Sequence, residues 1–389
     1  MVRVQIIMGR YLPGFKDGGP VRSIANLVEG LGDDFDFRIM ATDRDSGDLA
    51  PYPNARVSEW NLVGKAKVFY VRPNRFDFKV LQQLSNAADV TYICGCFNLY
   101  AIKTLLLKRV GIIKTPVVVA SMGLFSPGAF KIKAAKKKAF MHAANIIGLF
   151  RNIYWSVSSP VEKADLLTRV KTDESHVFEA GDIPAAVTGT CPDKIKGNAL
   201  RVVWFSRVSR EKNLLGSIEI LSRTKKRIHF NIIGPIEDEE YWRLCQSKLA
   251  DLRSNVSWSY EGPVLPEDVA DRLRKQDVFL FPTLGENYGH VIHEALAAGC
   301  PCLISDKTPW RDLEAWHAGF TIGLQDYATY AKRLDWFADM KPSQFKIYVR
   351  GAFDFVSQDT QVESRKDAYR VLLTEVSSRG LKMKKSVKG

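Results

Sequence analysis

The chain has 389 residues, of which 46% are hydrophobic and 25% charged, with a formal net charge of +13. This length is too great for one ordinary domain and suits two, and the composition is that of a globular, soluble protein. No apolar run is long enough to span a bilayer and the start lacks a charged-then-apolar secretory pattern, so a cytoplasmic location is expected.

Six cysteines (94, 96, 191, 245, 300, 302) are too few and too scattered for a disulfide framework in a chain of this size. Cys94-Gly-Cys96 and Cys300-Pro-Cys302 lie in or beside strand-like runs. With no histidine at zinc spacing they read as core thiols, and no metal or other cofactor is expected. The positive charge is uneven. Residues 1–200 hold 27 Lys/Arg against 18 Asp/Glu, and residues 201–389 hold 29 against 25. Between Asp89 and Glu162 there are ten basic residues and no acid. That stretch favours an anionic partner, such as a membrane surface met by the basic segment 101–151 or a lipid-linked phosphate. Nucleic acid is not expected, because no RNA-binding aromatic signature, zinc finger or helix-turn-helix is present.

In chain order, Val2–Met8 reads as a first strand. A loop ends at Gly18-Gly19, and Pro20 starts a helix whose apolar stripe is Ile24, Leu27, Val28 and Leu31. Strands are expected at Phe37–Ala41, Lys67–Val71, Val90–Cys94, Pro116–Ala120, Tyr154–Ser158 and Val177–Phe178. A lysine-rich helix is expected over about 128–144. Ser159-Pro160 should start another helix, with proline in its first position. The stretch 185–199, rich in Pro, Gly and Thr, reads as a linker.

A second α/β series follows. Strands are expected at Arg201–Phe205, His229–Ile233 and Val256–Tyr260. Helices are expected at Leu214–Arg223, Glu239–Leu252 and Glu267–Lys275. Then comes the most informative stretch, residues 281–312, FPTLGENYGHVIHEALAAGCPCLISDKTPWRD. A strand over Val278–Phe281 stops at Pro282, and a loop carries Glu286. A helix should run from about Asn287 to Ala298, stopped by Gly299 and Pro301 before the strand Cys302–Ile304. Val291, Ile292, Ala295 and Leu296 form its buried face, with His290 and Glu294 on another. A helix N-terminus suits a phosphate, and two carboxylates beside it suit hydroxyl donors such as a sugar or ribose.

These pieces resemble the retaining glycosyltransferases of family 4. Glu286-Asn-Tyr-Gly-His-Val-Ile-His-Glu294 is similar to that family's pair of glutamates separated by seven residues. Phe205-Ser206-Arg207-Val-Ser-Arg-Glu-Lys212-Asn213 is similar to its basic loop after a strand, and Gly18-Gly19 to its glycine turn. In particular the chain resembles bacterial members acting in exopolysaccharide or O-antigen assembly. The resemblance implies an α/β, GT-B fold of two facing Rossmann-like domains with the donor site in the interdomain cleft. The boundaries would be an acceptor-side domain over 1–184, the linker 185–199, a nucleotide-sugar-binding domain over 200–345, terminal helices over 346–377 crossing back to the first domain, and a frayed basic tail over 378–389.

It also implies roles. Arg207 and Lys212 would neutralise the leaving diphosphate, Glu286 would contact the donor sugar and Glu294 the ribose. Backbone near Asn287, Tyr288, Gly289 and His290 would meet sugar and diphosphate, and Gly19 would let backbone approach the phosphate. An ion pair from Arg207 or Lys212 to Glu211 or Asp306 is the structural alternative. This chain departs from the family pattern in four places, the first being Glu286-Asn287-Tyr288-Gly289 where the family commonly has Glu-Gly-Phe-Gly. Ser206 stands at the usual glycine position, and Thr308-Pro309-Trp310 replaces a common glycine pair. The loop at Ala120–Leu124 lacks the histidine many members carry, which leaves Asn98 and Ser121 as acceptor-side candidates. Trp310 would fill core or stack on a sugar. The implied activity is retaining, metal-independent transfer of a hexose-type sugar, with a UDP-sugar the default donor, to a saccharide or lipid-diphosphate-linked acceptor. The alternatives are a non-catalytic sugar-nucleotide-binding subunit of a polysaccharide assembly complex, or another GT-B enzyme such as a sugar-nucleotide epimerase.

Overall fold

The computed structural model of the chain describes residues 1–73, 75–126, 128, 130 and 134–386. It divides into two compact units. One is Met1–Pro184 with the segment from Thr360 onward, and the other is Ala185–Asp359.

The first unit is built on an eight-stranded sheet. Its strands are β1 (Val2–Ile7), β2 (Phe35–Thr42), β3 (Trp60–Val63), β4 (Ala66–Val71), β5 (Val90–Cys94), β6 (Val117–Ala120), β7 (Ile153–Val157) and β8 (Val177–Glu179). Their order is β3-β4-β2-β1-β5-β6-β7-β8. All neighbours are parallel except β3, which pairs antiparallel with β4. Strands covered on both faces have no polar side to show, and β5 and β6 are accordingly buried at every position. The sequence reading omits β3, a four-residue edge strand with little hydrophobic pattern of its own. Helix Gly19–Leu31 has Pro20 in its first turn and buries Ile24, Leu27, Val28 and Leu31. Helix Pro160–Leu167 starts on a Ser159 side chain that accepts from the Glu162 N–H. Of the expected lysine-rich helix, Ala134–Ile146 is seen, while Lys131, Ile132 and Lys133 lie outside the described residues.

The second unit holds six parallel strands: β9 (Leu200–Phe205), β10 (Ile228–Ile233), β11 (Val256–Gly262), β12 (Val278–Phe281), β13 (Cys302–Ser305) and β14 (Gly319–Ile322). Their order is β11-β10-β9-β12-β13-β14. The sequence reading omits β14 and the helix Tyr327–Asp339 behind it. The expected helix at 267–275 is a 3-10 turn, Pro266–Asp268, leading into Val269–Arg274.

Two further segments differ from expectation. The stretch 185–199 lies within the second unit and is anchored there. Buried Lys194 donates to the carbonyls of Leu273 (3.2 Å) and Gln276 (2.5 Å) and to Cys300 Sγ (2.9 Å). Lys196 donates to the carbonyls of Ala338 and Met340, both at 2.6 Å. Those carbonyls stand at helix ends, where an ammonium is favoured, and Pro/Gly/Thr composition gives no sign of it. The C-terminal helices also separate. Pro342–Ser357 belongs to the second unit, and Val362–Ser386 to the first. The latter contributes Tyr369, Leu372, Leu373 and Val376 to the first core and pairs Arg370 with Asp34 at 2.8 Å. Its backbone stays helical through Ser386, where the sequence suggested fraying from 378.

The parallel strands of each sheet reverse their order once, between β1 and β5 in the first and between β9 and β12 in the second. Loops leaving the carboxyl ends of such neighbouring strands diverge and open a crevice. The residues of interest in the second unit follow β9 and β12.

Candidate active site

The loop after β9 is held by hydrogen bonds within the chain. Asn213 takes a left-handed conformation (φ 54) after the turn Arg210–Lys212. Its Oδ1 accepts from the Gly216 N–H at 3.1 Å, which caps helix Leu214–Ser222. Its Nδ2 donates to the Pro282 carbonyl at 2.7 Å, which ties this loop to the end of β12. A second tie is the Leu284 N–H donating to the Glu211 carbonyl at 2.9 Å. The Trp204 indole N–H reaches the Lys212 carbonyl at 3.3 Å.

This stitching brings Lys212 Nζ to 2.7 Å from Glu286 Oε1, with each side chain only 12% exposed. The Thr283 hydroxyl also donates to Glu286 Oε1, at 3.3 Å. Neither Asn213 nor Thr283 stood out in the sequence. Both follow strands at the reversal point, which is the signal that could have found them.

Helix His290–Ala297 begins three residues later than the sequence suggested, because Gly289 is left-handed (φ 84). L side chains rarely adopt that backbone conformation, so the turn favours glycine. Asn287 and Tyr288 form the half-buried approach, His290 opens the helix and Glu294 stands half-buried in its second turn. Ile292, Ala295 and Leu296 are buried as expected, and His293 joins them. Trp310 donates its indole N–H to the Tyr288 carbonyl at 2.6 Å. Its ring packs 5.3 Å from that of Tyr288 and 6.1 Å from that of Phe355. Of its two readings, packing is the one these contacts support.

Arg207 pairs with Glu237, in the loop after β10, and both side chains are substantially exposed (32% and 50%). Arg210 points to Asp238 (3.2 Å) and Glu240 (3.5 Å). Neither alternative partner, Asp306 or Glu211, is paired with Arg207 or Lys212. Asp306 pairs with Lys307, whose hydrogen bond holds its carboxyl below the usual range. Glu211 supplies backbone to the β12 loop.

In the first unit, Gly18 has the positive φ (67), and Gly19 opens its helix with nothing within 4 Å of where a Cβ would stand. Asn98 is exposed in the loop after β5 and donates to the Tyr100 hydroxyl at 2.9 Å. Ser121 is fully buried, and its hydroxyl donates to Glu162 Oε1 at 2.6 Å. The same carboxylate accepts from the Gly123 N–H and, through Oε2, from the Ser158 N–H (2.6 Å) and hydroxyl (2.9 Å). Ser121 therefore holds a loop in place instead of offering a hydroxyl to an acceptor. The sequence marked Glu162 only as a residue of a helix start.

All six cysteines are free, and all but Cys191 are buried. Burial pushes the thiols of Cys94, Cys96, Cys300 and Cys302 up, and that of Cys245 up to about 12. Such thiols are inert packing groups. Among the described residues, no group of three or more His, Cys, Asp or Glu is placed to hold a metal ion.

Residues 193–351, within the second unit, match the family Glycosyl transferases group 1. No curated protein sequence matches the chain. The fold is GT-B, as its structural relatives are glycosyltransferases of that architecture. HepE of Anabaena, solved with UDP and glucose, is similar at 14% identity with a TM-score of 0.69, over 96% of this chain and 100% of that one. Sucrose-phosphate synthase of Thermosynechococcus elongatus is similar at 15% identity and a TM-score of 0.69, over 97% and 100%. WaaG, a glycosyltransferase involved in lipopolysaccharide biosynthesis, is similar at 14% identity and 0.66, over 95% and 99%. The family match thus lies in the second unit, and the likeness to the solved structures is one of fold.

Proposed function

We propose that this chain is a retaining, metal-independent glycosyltransferase. It moves a hexose-type sugar from a nucleotide-sugar donor to a saccharide or lipid-diphosphate-linked acceptor in bacterial polysaccharide assembly. The observation that carries this reading is the Lys212–Glu286 contact at 2.7 Å. It joins a phosphate-type cation to a hydroxyl-type acceptor at the reversal point of the second sheet. A UDP-sugar is the default donor, which the UDP and glucose in the HepE structure favour.

In this reading the donor's diphosphate takes Lys212 and Arg207 from their resting carboxylates. Arg207 grips oxygens with its planar fork and Lys212 adds a point charge. Glu286, released, accepts from hydroxyls of the sugar, and Glu294 from the ribose. The amide groups at Gly289 and His290 face the diphosphate from the start of the helix. The acceptor hydroxyl attacks the anomeric carbon on the face that the diphosphate leaves. The C–O bond to phosphate breaks, and the leaving phosphate oxygen takes the acceptor's proton. No protein nucleophile is needed, and the protein's contribution is stabilisation of the departing charge. The first unit is assigned to the acceptor.

A thermal-shift screen of nucleotide sugars tests the reading, since a ligand of the folded state raises stability by mass action. One UDP-sugar should raise Tm, and donor hydrolysis or transfer should follow with that same sugar. Binding without turnover across saccharide and lipid-linked acceptors would favour the non-catalytic subunit.

A further inference from the structure

A cavity of about 310 Å³ lies at the other end of the second unit from these loops. His317 on its wall precedes β14 by two residues, so it marks the amino edge of a parallel sheet. Lys212 and Glu286 follow β9 and β12, at the carboxyl edge. The cavity is therefore separate from the donor site, and nothing in the transfer chemistry uses it.

Its walls are set by close packing. Gly351 in helix Pro342–Ser357 meets the Trp316 carbonyl where a Cβ would overlap it, which holds the His317 turn against that helix. Trp336 and Tyr348 then stand as two nearly perpendicular aromatic walls, with centroids 5.3 Å apart at 84°. Trp336 is 41% exposed and Ile347, beside it, 54%. The polar lining is a carboxylate (Asp339), an amide (Gln344) and the His317 imidazole.

The charges around it are already matched. Asp339 pairs with Lys226 at 2.7 Å and Arg333 with Glu314 at 3.5 Å. The cavity therefore offers aromatic side chains and hydrogen-bonding groups whose one carboxylate is already paired with a lysine. A pyranose ring has the complementary chemistry. Its C–H face packs on an aromatic ring, while its hydroxyls donate to a carboxylate and exchange hydrogen bonds with an amide. The volume is at the small end for ligand pockets, which suits one ring and not a longer stretch of chain.

We propose that this cavity is a carbohydrate-binding subsite that holds one neutral pyranose unit of a glycan. Given the proposed transfer reaction, that glycan is the acceptor or the elongated product, retained at a second point away from the donor loops.

The full-length chain should be titrated by calorimetry with maltohexaose, cellohexaose and isomaltohexaose. Saturable binding of at least one is expected. Trp336→Ala should weaken it about tenfold or more, the loss of roughly one aromatic contact. Ile347→Trp, which fills the mouth and keeps both aromatic walls, should weaken it as much, so misfolding of the first variant cannot account for both. Lys212→Ala should lose UDP binding and keep glycan binding, which separates this subsite from the donor reading. Binding of none of the three glycans overturns the proposal. So does binding unchanged in both cavity variants, or choline binding in place of the glycans, which would make the aromatic walls a cation cage.

Discussion

Lys212 and Glu286 are 74 residues apart in sequence and form one nearly buried ion pair, Nζ to Oε1 at 2.7 Å. Each neutralises the other, so neither charge is left bare beside the core. Lys212→Ala should reduce turnover roughly 10²–10³-fold through lost stabilisation of the leaving group. It should also lower stability by about 1.5–3 kcal/mol, because a charged hydrogen bond is lost and Glu286 is stranded. Adding Glu286→Gln to Lys212→Ala should restore part of that stability without restoring turnover. Full additivity of the two stability changes in a double-mutant cycle would contradict the coupling.

Arg207 gives the opposite balance. Its pair with Glu237 is solvent-exposed, and such pairs contribute only about 0–1 kcal/mol. Arg207→Ala should leave Tm nearly unchanged and still reduce turnover roughly 10²–10³-fold. In the proposed reaction cations take the role a metal would fill, so transfer should persist in EDTA. Near-normal turnover of the variant, or a strict Mg²⁺ requirement, would remove the assignment.

Glu162 should matter for the fold of the first unit. It is buried and accepts four hydrogen bonds, from Ser121, Gly123 and both the N–H and the hydroxyl of Ser158. Glu162→Ala should cost about 3 kcal/mol or more, since several buried donors lose their acceptor at once. Urea unfolding measures this, and a cost below about 1 kcal/mol would mean that water replaces the carboxylate.

Alkaline pH should weaken the first unit. Burial raises the Tyr70 hydroxyl to about 12 from an ordinary 10.0, and Tyr11, Tyr52, Tyr92 and Tyr100 are pushed higher still. These groups stay protonated in the folded chain where the unfolded chain releases their protons. Their contribution is therefore complete below about pH 10 and is lost as pH rises through the folded values. Tm should be flat with respect to these groups up to about pH 10 and then fall, while phenolate absorbance lags behind that of the urea-unfolded chain.

The basic segment should bind anionic membranes. Helices Leu99–Arg109 and Ala134–Ile146 leave Leu99, Leu106, Val110, Ile146 and Ile147 exposed, in a stretch without acids. Arg109 joins their ends by donating to the Ile147 carbonyl at 2.8 Å. Phosphatidylglycerol vesicles should sediment the chain at low salt and release it at high salt, as screening predicts. No sedimentation at low salt would refute the association.

The sequence by itself determined what is local. Short runs rich in β-branched and aromatic residues such as Val90–Cys94 marked strands, Pro20 and Ser159-Pro160 marked helix starts, and Gly299 and Pro301 marked a helix end. Glu286 and Glu294 could be read as a pair, and Arg207 and Lys212 as cations on one loop, because each set lies within a few residues along the chain. Tertiary structure alone decided what those groups touch. It set Lys212 on Glu286 and Arg207 on Glu237, buried Ser121 against Glu162, and turned Trp310 under Tyr288. It also fixed the 185–199 segment through Lys194 and added β14, whose four residues carry too little pattern to be seen. All of these depend on groups brought together from distant parts of the chain. Their energies come from burial and pairing, and no local propensity or spacing records them.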